Sequence, residues 1–247
     1  MKNIYFISDV HLALDREEYT EKRKKYLINF LESIEDKASK IIFVGDLFDF
    51  WFEWYYVIPG YHFDLFAKLR EMIKNGTEIV YITGNHDFHL SDFLTIEVGL
   101  KCADESYCFD ANDKKFFVAH GDGYAKVDSG YRFLKKILRS KISNFLFKTF
   151  IHPDLGIKIA KWTSGSSRKY RSIDRSKWRD EYFDFAKTKF KVNYNYVILG
   201  HLHDPVLEED NGNFYLNTGD WINHFSYGVF DGNKLELKYY LQENNGK

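Results

Sequence analysis

The sequence predicts an α/β fold in which a second β-sheet packs on the first. Five short runs of β-branched and aromatic residues have the length and composition of buried strands. Amphipathic helical patterns separate the first three runs, and this alternation is typical of an α/β sheet. After Gly200 the chain changes to shorter strand-like pieces, which predict a second sheet. At 247 residues and 45% hydrophobic content, the chain is expected to form one domain, residues 1–247, with an insertion.

The predicted elements follow in order along the chain. The five buried strands are Asn3–Ser8, Lys40–Gly45, Glu78–Thr83, Lys114–His120 and Tyr194–Gly200. Apolar residues at helical spacing predict helices over Tyr19–Ile34 and Phe63–Lys74. Three shorter strands are predicted at Phe214–Asn217, Ser226–Phe230 and Lys234–Tyr240, the last two joined by a hairpin turn at Asp231-Gly-Asn.

The stretch 124–191 breaks this rhythm and is predicted to be a helical insertion within the domain. Apolar residues recur at helical spacing from Tyr131 to Phe150, a polar loop is predicted over Thr163–Ser172, and a further helix over Ser176–Phe190. The stretch holds 18 Lys and Arg against 6 Asp and Glu, which gives it a charge of +12. Because the whole chain has a net charge of −1, the rest of the chain carries −13. A solvated helical face is the ordinary explanation of such an excess, but one this large also indicates an anionic partner such as a nucleotide, a lipid headgroup or nucleic acid.

Composition limits where the protein is expected to work. The sequence lacks a run of about 18 apolar residues that a membrane helix needs, and its first residues do not resemble a secretory leader. The two cysteines, Cys102 and Cys108, form no CxxC pair, which argues against a disulfide framework or a structural zinc site. We therefore expect the chain to fold in the cytoplasm.

Side chains that bind metals follow each of the five predicted buried strands. The clusters are Asp9-x-His11, Gly45-Asp46-x-x-Asp49, Gly84-Asn85-His86-Asp87, His120-Gly121-Asp122 and Gly200-His201-x-His203. Because ligands in open α/β sheets bind outside the carboxyl ends of the strands, residues this far apart in sequence are expected to converge. One such cluster alone is weak, but five at five strand ends are a strong signal. Oxygen and imidazole donors without thiolate suit Mn²⁺, Fe²⁺ or Zn²⁺.

The charge of such a site suggests its reaction. Two divalent ions bring a charge of +4, and the carboxylates of Asp9 and Asp46 return −2, so the site keeps a surplus positive charge that attracts an anion. Water held between two divalent ions is a strong nucleophile near neutral pH, and the same ions polarise a phosphoryl group. The pattern therefore predicts hydrolysis of a phosphoester or phosphoanhydride.

The five motifs, in this order, resemble those of the calcineurin-like metallophosphoesterases. The resemblance covers nearly the whole chain and implies two packed mixed β-sheets flanked by helices, with a dinuclear metal site. It implies one metal held by Asp9, His11, Asp46 and His203, and a second held by Asp46, Asn85, His120 and His201. Asp49 is then expected to accept a hydrogen bond from a ligand and fix its orientation. His86 would act beside the scissile phosphate, with Asp87 orienting it.

Further motifs resemble a narrower group, the UDP-2,3-diacylglucosamine pyrophosphohydrolases of lipid A biosynthesis. These are "GDLFDFW", "GNHDF", "DSGYR" after "HGD", and the helical insertion. The resemblance implies hydrolysis of a nucleotide-linked lipid to UMP and 2,3-diacylglucosamine 1-phosphate, usually with Mn²⁺, and an insertion that forms a cap over the acyl chains. It also implies peripheral association with the inner face of the cell membrane. The expected substrate contacts are Asp128, Tyr131, Arg168, Lys169 and Arg171.

Other functions remain open at the level of sequence. A nuclease could use the basic insertion to follow a phosphate backbone, but basic and aromatic residues do not alternate there in a stacking pattern, which argues against nucleic acid. A broader phosphodiesterase or nucleotidase would share the metal site, and histidine at position 86 is common to such enzymes. A non-catalytic scaffold has no reason to keep seven metal-type side chains together with His86.

Overall fold

The computed structural model of the protein describes residues 2–87, 90, 92–124, 140–167 and 175–241. Its strands are β1 (Asn3–Ile7), β2 (Ala38–Val44), β3 (Glu78–Ile82), β4 (Lys101–Ala103), β5 (Ser106–Ala111), β6 (Lys114–Ala119), β7 (Tyr196–Leu199), β8 (Val206–Asp210), β9 (Asn213–Asn217), β10 (Ser226–Phe230) and β11 (Leu235–Tyr239). Its α-helices are α1 (Glu18–Ile34), α2 (Phe63–Lys74), α3 (Lys141–Phe150), α4 (Pro153–Ser167) and α5 (Arg175–Phe190), with a π-helix at Phe93–Val98.

The strands form two mixed sheets. The first has the order β11-β10-β1-β2-β3-β4, in which β1 to β4 run parallel and β10 is antiparallel to both of its neighbours, β1 and β11. The second has the order β5-β6-β7-β9-β8, in which β6, β7 and β9 run parallel. All five predicted buried strands are present, and the two-sheet α/β fold that the sequence predicts is confirmed. The division between the sheets differs from the prediction, because β6 and β7 belong to the second sheet, while β10 and β11, which follow Gly200, pair with the first.

Both faces of β1 are buried, which explains its unbroken apolar sequence. Ile4 and Phe6 point into the core between the two sheets, where Phe116 and Ile198 of the second sheet meet them. Tyr5 and Ile7 point to the opposite face, which α1 and α2 cover. Strands covered on both faces lose the usual apolar and polar alternation.

A helix of the 124–191 stretch covers the outer face of the second sheet. Tyr182 and Ala186 of α5 are fully buried against Phe117, Val197 and Tyr215. The layers are therefore helix, sheet, sheet, helix. The two sheets pack face to face, so the carboxyl ends of β1, β2, β3, β6 and β7 can reach one site.

Several elements differ from the sequence prediction. The strands β4, β5 and β8 are short or half-exposed edge strands, and they lack the apolar run that identifies a buried strand. The loop predicted from Thr163 is instead helical as far as Ser167, because α4, which begins at Pro153, continues into this polar segment. The predicted helical residues 131–138 lie outside the described residues. Within the described ranges, no helix is long and apolar enough to cross a bilayer.

Candidate metal centre

Backbone hydrogen bonds join the strand-end loops that carry the predicted ligands. The amides of Asp9 and His11 donate to the carbonyls of Gly45 and Asp46, at 3.1 and 3.0 Å. The amide of Gly200 donates to the carbonyl of His120 at 2.9 Å, and this bond links the two loops of the second sheet. The structure thereby brings all seven predicted metal ligands into one cluster at the carboxyl ends of the strands.

One half of the cluster is built by Asp9, His11 and His203. The Nε2 atoms of His11 and His203 lie 3.3 Å apart. Oδ1 of Asp9 lies 3.2 Å from Nε2 of His203 and 3.6 Å from Nε2 of His11. All three side chains are buried, and their donor atoms are close enough together to hold one ion.

The other half is built by Asn85, His120 and His201. Oδ1 of Asn85 lies 3.1 Å from Nε2 of His120 and 2.9 Å from Nδ1 of His201. Oδ2 of Asp46 lies 3.4 Å from Nε2 of His120 and 3.6 Å from Nε2 of His11, so this carboxylate oxygen stands between the two halves. The geometry therefore has one shared carboxylate and a donor set on each side of it.

The donor atoms fit divalent metal ions. Among the residues that the structure describes, no group donates a hydrogen bond to the fully buried Oδ1 of Asp9, although a buried carboxylate oxygen normally has a partner. The Nε2 atoms of His11 and His203 face each other, and when both carry a lone pair neither can donate a hydrogen bond to the other. A cation between them can bind both lone pairs. Imidazole, carboxylate and amide donors without thiolate match the metals predicted from the sequence.

Three of the imidazoles are held from their far side. Nδ1 of His11 lies 3.1 Å from Oδ1 of Asp49, and Nδ1 of His120 donates to the carbonyl of Val44 at 2.8 Å. Nδ1 of His203 lies 3.4 Å from Oδ2 of Asp220. Such partners fix which ring nitrogen faces the metal and raise its basicity.

Asp220 was not identified in the sequence. It lies in "NTGDW" after β9, a strand that carries none of the predicted ligands, so its only signal was an acid after a strand end. Its Oδ1 accepts hydrogen bonds from the amides of Ile222, Asn223 and His224 at 2.7 to 3.1 Å. One carboxylate therefore orients His203 and also shapes the following loop.

Five of the seven predicted ligands have a left-handed backbone. The φ angles of Asp9, His11, Asp46, His201 and His203 lie between 51° and 69°. Residues other than glycine rarely adopt this region, and such strain concentrates at functional sites. The sharp bends turn consecutive side chains toward one point at the end of each strand.

Two glycines leave room for the ligands. A Cβ atom on Gly84 would lie 2.0 Å from Oδ1 of Asp46, and one on Gly45 would lie 2.4 Å from Nδ1 of His120. Gly45 also has φ of +84°, which a side chain would strain. Glycine is required at both positions for the ligands to approach the backbone this closely.

His86 lies at the edge of the cluster. Its ring contacts that of His11 edge to face with centroids 4.9 Å apart, and its Nδ1 lies 3.0 Å from the carbonyl oxygen of Asp49. Its backbone amide donates to Oδ1 of Asp46 at 3.0 Å. His11, Asp46 and His86 also meet the distance condition for holding an ion.

Asp87 has a different role from the predicted one. It accepts hydrogen bonds from the amides of Gly84, Asp46 and Phe48 at 2.8 to 3.2 Å, and from the hydroxyl of Tyr81. Asp87 was expected to orient His86, but the carbonyl of Asp49 contacts that ring instead. The buried carboxylate of Asp87 therefore fixes the loops after β2 and β3 to each other.

Comparison with known proteins decides the family. The profile of the calcineurin-like phosphoesterases matches residues 2–205. The chain belongs to the calcineurin-like phosphoesterase family. The family predicted from the five motifs is confirmed, and the protein is a phosphoester or pyrophosphate hydrolase. The family fold implies divalent metal ions.

Relatives of this calcineurin-like phosphoesterase match it along nearly their whole length. A protein of Porphyromonas gingivalis named UDP-2,3-diacylglucosamine hydrolase is 32% identical over 95% of this chain and 96% of its own. A Neisseria meningitidis protein of the same name is 26% identical, with 92% of each chain covered. Among solved structures, a phosphoesterase from E. coli has a TM-score of 0.48 at 14% identity, covering 97% of this chain and 94% of its own.

His11 and His120 hold protons strongly because buried carboxylates surround them. Burial acts to lower the pKa of His11, but Asp49, Asp9 and Asp46 raise it to about 9. Burial likewise opposes protonation of His120, but Asp46 and Asp9 raise its pKa to about 10. Metal ions entering the site must displace these protons.

His201 and His86 are held neutral. Burial, together with the charge on His120, lowers the pKa of His201 to about 4. Burial also lowers the pKa of His86. A neutral imidazole has the lone pair that a metal ligand or a proton acceptor needs.

The five predicted substrate contacts belong to the 124–191 stretch. Asp128, Tyr131, Arg168, Lys169 and Arg171 all lie outside the described residues. They stay predictions from the sequence.

Proposed function

We propose that the protein hydrolyses the pyrophosphate of UDP-2,3-diacylglucosamine to UMP and 2,3-diacylglucosamine 1-phosphate. What carries this proposal is the 32% identity to a relative named for that substrate, which spans 95% of this chain. The clustered ligands support it, because a site with surplus positive charge suits an anionic pyrophosphate.

The proposed cofactor is a pair of divalent ions, with Mn²⁺ ahead of Fe²⁺ and Zn²⁺. Asp9, His11 and His203 are the ligands proposed for one ion, and Asn85, His120 and His201 those for the other, with Asp46 shared. When bound, such ions lower the pKa of a water and polarise the phosphoryl oxygens. The protein's own part is to hold seven donors in place before the ions arrive.

His86 is the proposed catalytic side chain that binds no metal. Its Nδ1 lies 3.0 Å from the carbonyl of Asp49, which places the ring hydrogen on Nδ1 and leaves Nε2 to the substrate. Burial keeps the ring neutral, so Nε2 carries a lone pair that can accept a proton. Once it holds that proton, Nε2 can donate it to an oxygen of the scissile phosphate or of its leaving group. Asp49 thus serves twice, since its carboxylate contacts His11 and its carbonyl contacts His86.

The insertion is proposed to act as a cap for the lipid part of the substrate. On α3, the apolar side chains of Ile142, Phe145, Leu146 and Phe150 are 47 to 74% exposed, and their spacing places them on one helix face. An apolar face left in water marks an interaction surface. Arg168, Lys169 and Arg171 are proposed to contact the anionic headgroup.

We also propose that the same face brings the enzyme to the inner surface of the cell membrane, where a diacylated substrate resides. Lys148 lies on α3 beside this face, with its Nζ 5.8 Å from the ring of Phe52 and 5.6 Å from that of Tyr55. Exposed apolar and cationic side chains on one helix are typical of interfacial binding to anionic lipids.

One assay tests the proposed reaction. Protein loaded with Mn²⁺ is offered UDP-2,3-diacylglucosamine, a cyclic nucleotide and single-stranded DNA side by side. The nucleotide-linked lipid is expected to be hydrolysed fastest, with UMP as a product. The variant Asp46→Ala is expected to fold and to have no activity on any of the three. Faster cleavage of the cyclic nucleotide or of DNA overturns the substrate assignment, and full activity of Asp46→Ala overturns the metal scheme.

A further inference from the structure

A cavity of about 570 Å³ opens beside the metal centre. His11, Asp49 and His86 form its inner end, where the proposed chemistry takes place. The rest of its lining comes from α1, from Ile222, Asn223 and Phe225, and from Leu241. In the described part of the chain, its lining includes no residue of α3, α4 or α5.

Aromatic rings form much of the wall of this cavity. Tyr19 and Tyr26 lie on α1, and Phe225 lies across from them on the loop after Asp220. The rings of Tyr26 and Phe225 meet edge to face at 5.5 Å, and Tyr19 remains 42% exposed. Aromatic side chains of this kind can stack with any nucleobase, because every base has a π-face.

Backbone strain is concentrated at the same wall. Phe225 has φ of 50°, which is rare for so bulky a side chain. The amide of Tyr240 donates to the carbonyl of Phe225 at 2.9 Å, and the indole of Trp221 donates to the carbonyl of Ser226 at 2.9 Å, so the neighbours enforce this conformation. Strained residues held in this way are typical of ligand-binding loops.

Two cations complete the lining. Lys22 is exposed, and its Nζ lies 5.8 Å from the ring centroid of Tyr26. The guanidinium of Arg23 lies over Tyr19 at 5.1 Å and also donates to the carbonyl of Val10, between the ligands Asp9 and His11, at 2.8 Å. The cavity is therefore aromatic and cationic, which suits a phosphorylated aromatic ligand better than a long acyl chain.

We propose that this cavity binds the nucleotide half of the substrate, with the base against Tyr19 and Phe225 and the phosphate between Lys22 and the metal centre. The proposal rests on the proposed function for the identity of the nucleotide. The volume lies within the range of about 300 to 1,000 Å³ usual for small-molecule sites. In this arrangement the lipid half of the bound substrate extends from the reacting phosphate toward the insertion. The nucleotide half extends toward α1.

Four variants on α1 test this assignment. Tyr19→Leu removes the ring and Tyr19→Phe keeps it, while Lys22→Gln removes a cation from the cavity and Lys25→Gln removes an exposed cation outside it. Calorimetry measures binding of UMP and of ribose 5-phosphate, which lacks a base, to each variant loaded with Mn²⁺. Hydrolysis of a small aryl phosphodiester reports whether the metal centre is intact.

Tyr19→Leu is expected to weaken UMP binding by roughly tenfold and to leave ribose 5-phosphate binding unchanged. Tyr19→Phe should bind UMP as the wild type does. Lys22→Gln should weaken both ligands several-fold, and Lys25→Gln neither. Aryl phosphodiester hydrolysis should be the same for Lys25→Gln as for the wild type.

The assignment is overturned if Tyr19→Leu and Lys22→Gln bind UMP like the wild type, or if Lys25→Gln loses as much affinity as Lys22→Gln. It is also overturned if Tyr19→Leu changes KM only with the acyl-chain length of the substrate, since the cavity then holds lipid. UMP bound here by an enzyme that does not cleave UDP-2,3-diacylglucosamine contradicts the proposed function and leaves this site standing. If the enzyme cleaves UDP-2,3-diacylglucosamine but these variants do not change its affinity for UMP, the proposed function is supported and this nucleotide site is overturned.

Discussion

At the scale of single residues, the site depends on the groups behind its ligands. Asp49, Asp220 and the carbonyl of Val44 each contact the far nitrogen of one histidine. The sequence predicted Asp49, because it shares a motif with Asp46. It did not reveal Asp220, because only the packing of β9 beside β7 brings that acid to His203.

Replacing Asp220 by Asn tests this orienting role. Asn keeps an oxygen for the amides of residues 222–224 but removes the negative charge beside His203. Affinity for Mn²⁺ and the rate of hydrolysis are expected to fall by roughly 10- to 100-fold. Metal titration with an activity assay measures both. Asp231→Asn, in the exposed hairpin turn, should change neither, and an equal loss in both variants would contradict the role.

The protonated histidines of the metal-free site predict a pH dependence. The pKa values of His11 and His120 are raised to about 9 and about 10, so at pH 7.5 entering Mn²⁺ must release protons. Apparent Mn²⁺ affinity should therefore rise with pH. Calorimetry in buffers of different ionisation enthalpy measures the protons released, and heats that do not depend on the buffer would refute the prediction.

The same pKa values act on the stability of the metal-free protein. A histidine whose folded pKa lies above the unfolded value of 6.5 stabilises the fold below pH 6.5, and this contribution disappears as the pH rises through 9 to 10. The free energy of unfolding of the metal-free protein should thus fall between pH 7 and pH 10. The variant His120→Gln should show a shallower fall over that range.

At the scale of elements, the buried strands and the motifs that follow them were predictable from the sequence, and the edge strands of the sheets were not. Buried parallel strands such as β1 and β2 have apolar runs followed by ligands, so both strand and motif are visible in sequence. Edge strands such as β5 alternate exposed and half-buried residues, and pairing with a neighbour determines them more than composition does.

The turn after β3 allows a test of the packing at its glycine. Gly84→Ala places a methyl group 2.0 Å from Oδ1 of Asp46, which must move. Activity is expected to fall by roughly 100-fold, and overpacking should cost about 1 to 3 kcal/mol of stability. Gly60→Ala is the matched control, because a Cβ there meets nothing within 4 Å. Kinetics and thermal unfolding of both variants measure the difference, and a fully active Gly84→Ala would exclude this constraint.

The exposed face of α3 gives a prediction about lipid. Phe145→Ser with Phe150→Ser removes two large apolar side chains that are 56 and 73% exposed. Partition into phosphatidylglycerol-containing vesicles should fall by roughly tenfold or more, because each buried Phe contributes about 1.5 to 3 kcal/mol. Vesicle flotation measures it. Ile96→Ser, 70% exposed on the π-helix, is the control, and an equal effect there would argue against a dedicated face.

At the scale of the whole molecule, the metal centre joins the two sheets. Asp9, His11, Asp46 and Asn85 come from loops of the first sheet, and His120, His201 and His203 from loops of the second. Hydrogen bonds between loops of the two sheets already link the sheets at this edge. The amide of His201, for example, donates to Oδ2 of Asp9 at 2.9 Å. Bound ions are expected to add a further link across this edge.

Metal should accordingly stabilise the entire fold. At a Mn²⁺ concentration 100 times the Kd, binding to the native state alone contributes about 2.7 kcal/mol. For a domain of this size that corresponds to a rise in Tm of about 5 to 10 °C. Calorimetric scans with Mn²⁺ and after chelation measure the shift. Asp46→Ala should show a much smaller one, and an equal shift in that variant would place the stabilising ion elsewhere.

The left-handed backbone at five ligand positions makes the folded chain less stable than this architecture allows. Side chains of these types adopt that conformation at a cost which glycine does not bear. A library of this protein selected for heat resistance alone, with no demand on hydrolysis, should therefore enrich glycine or asparagine at Asp9, His11, Asp46, His201 and His203. The selected variants should retain the fold of two packed sheets and lose hydrolytic activity.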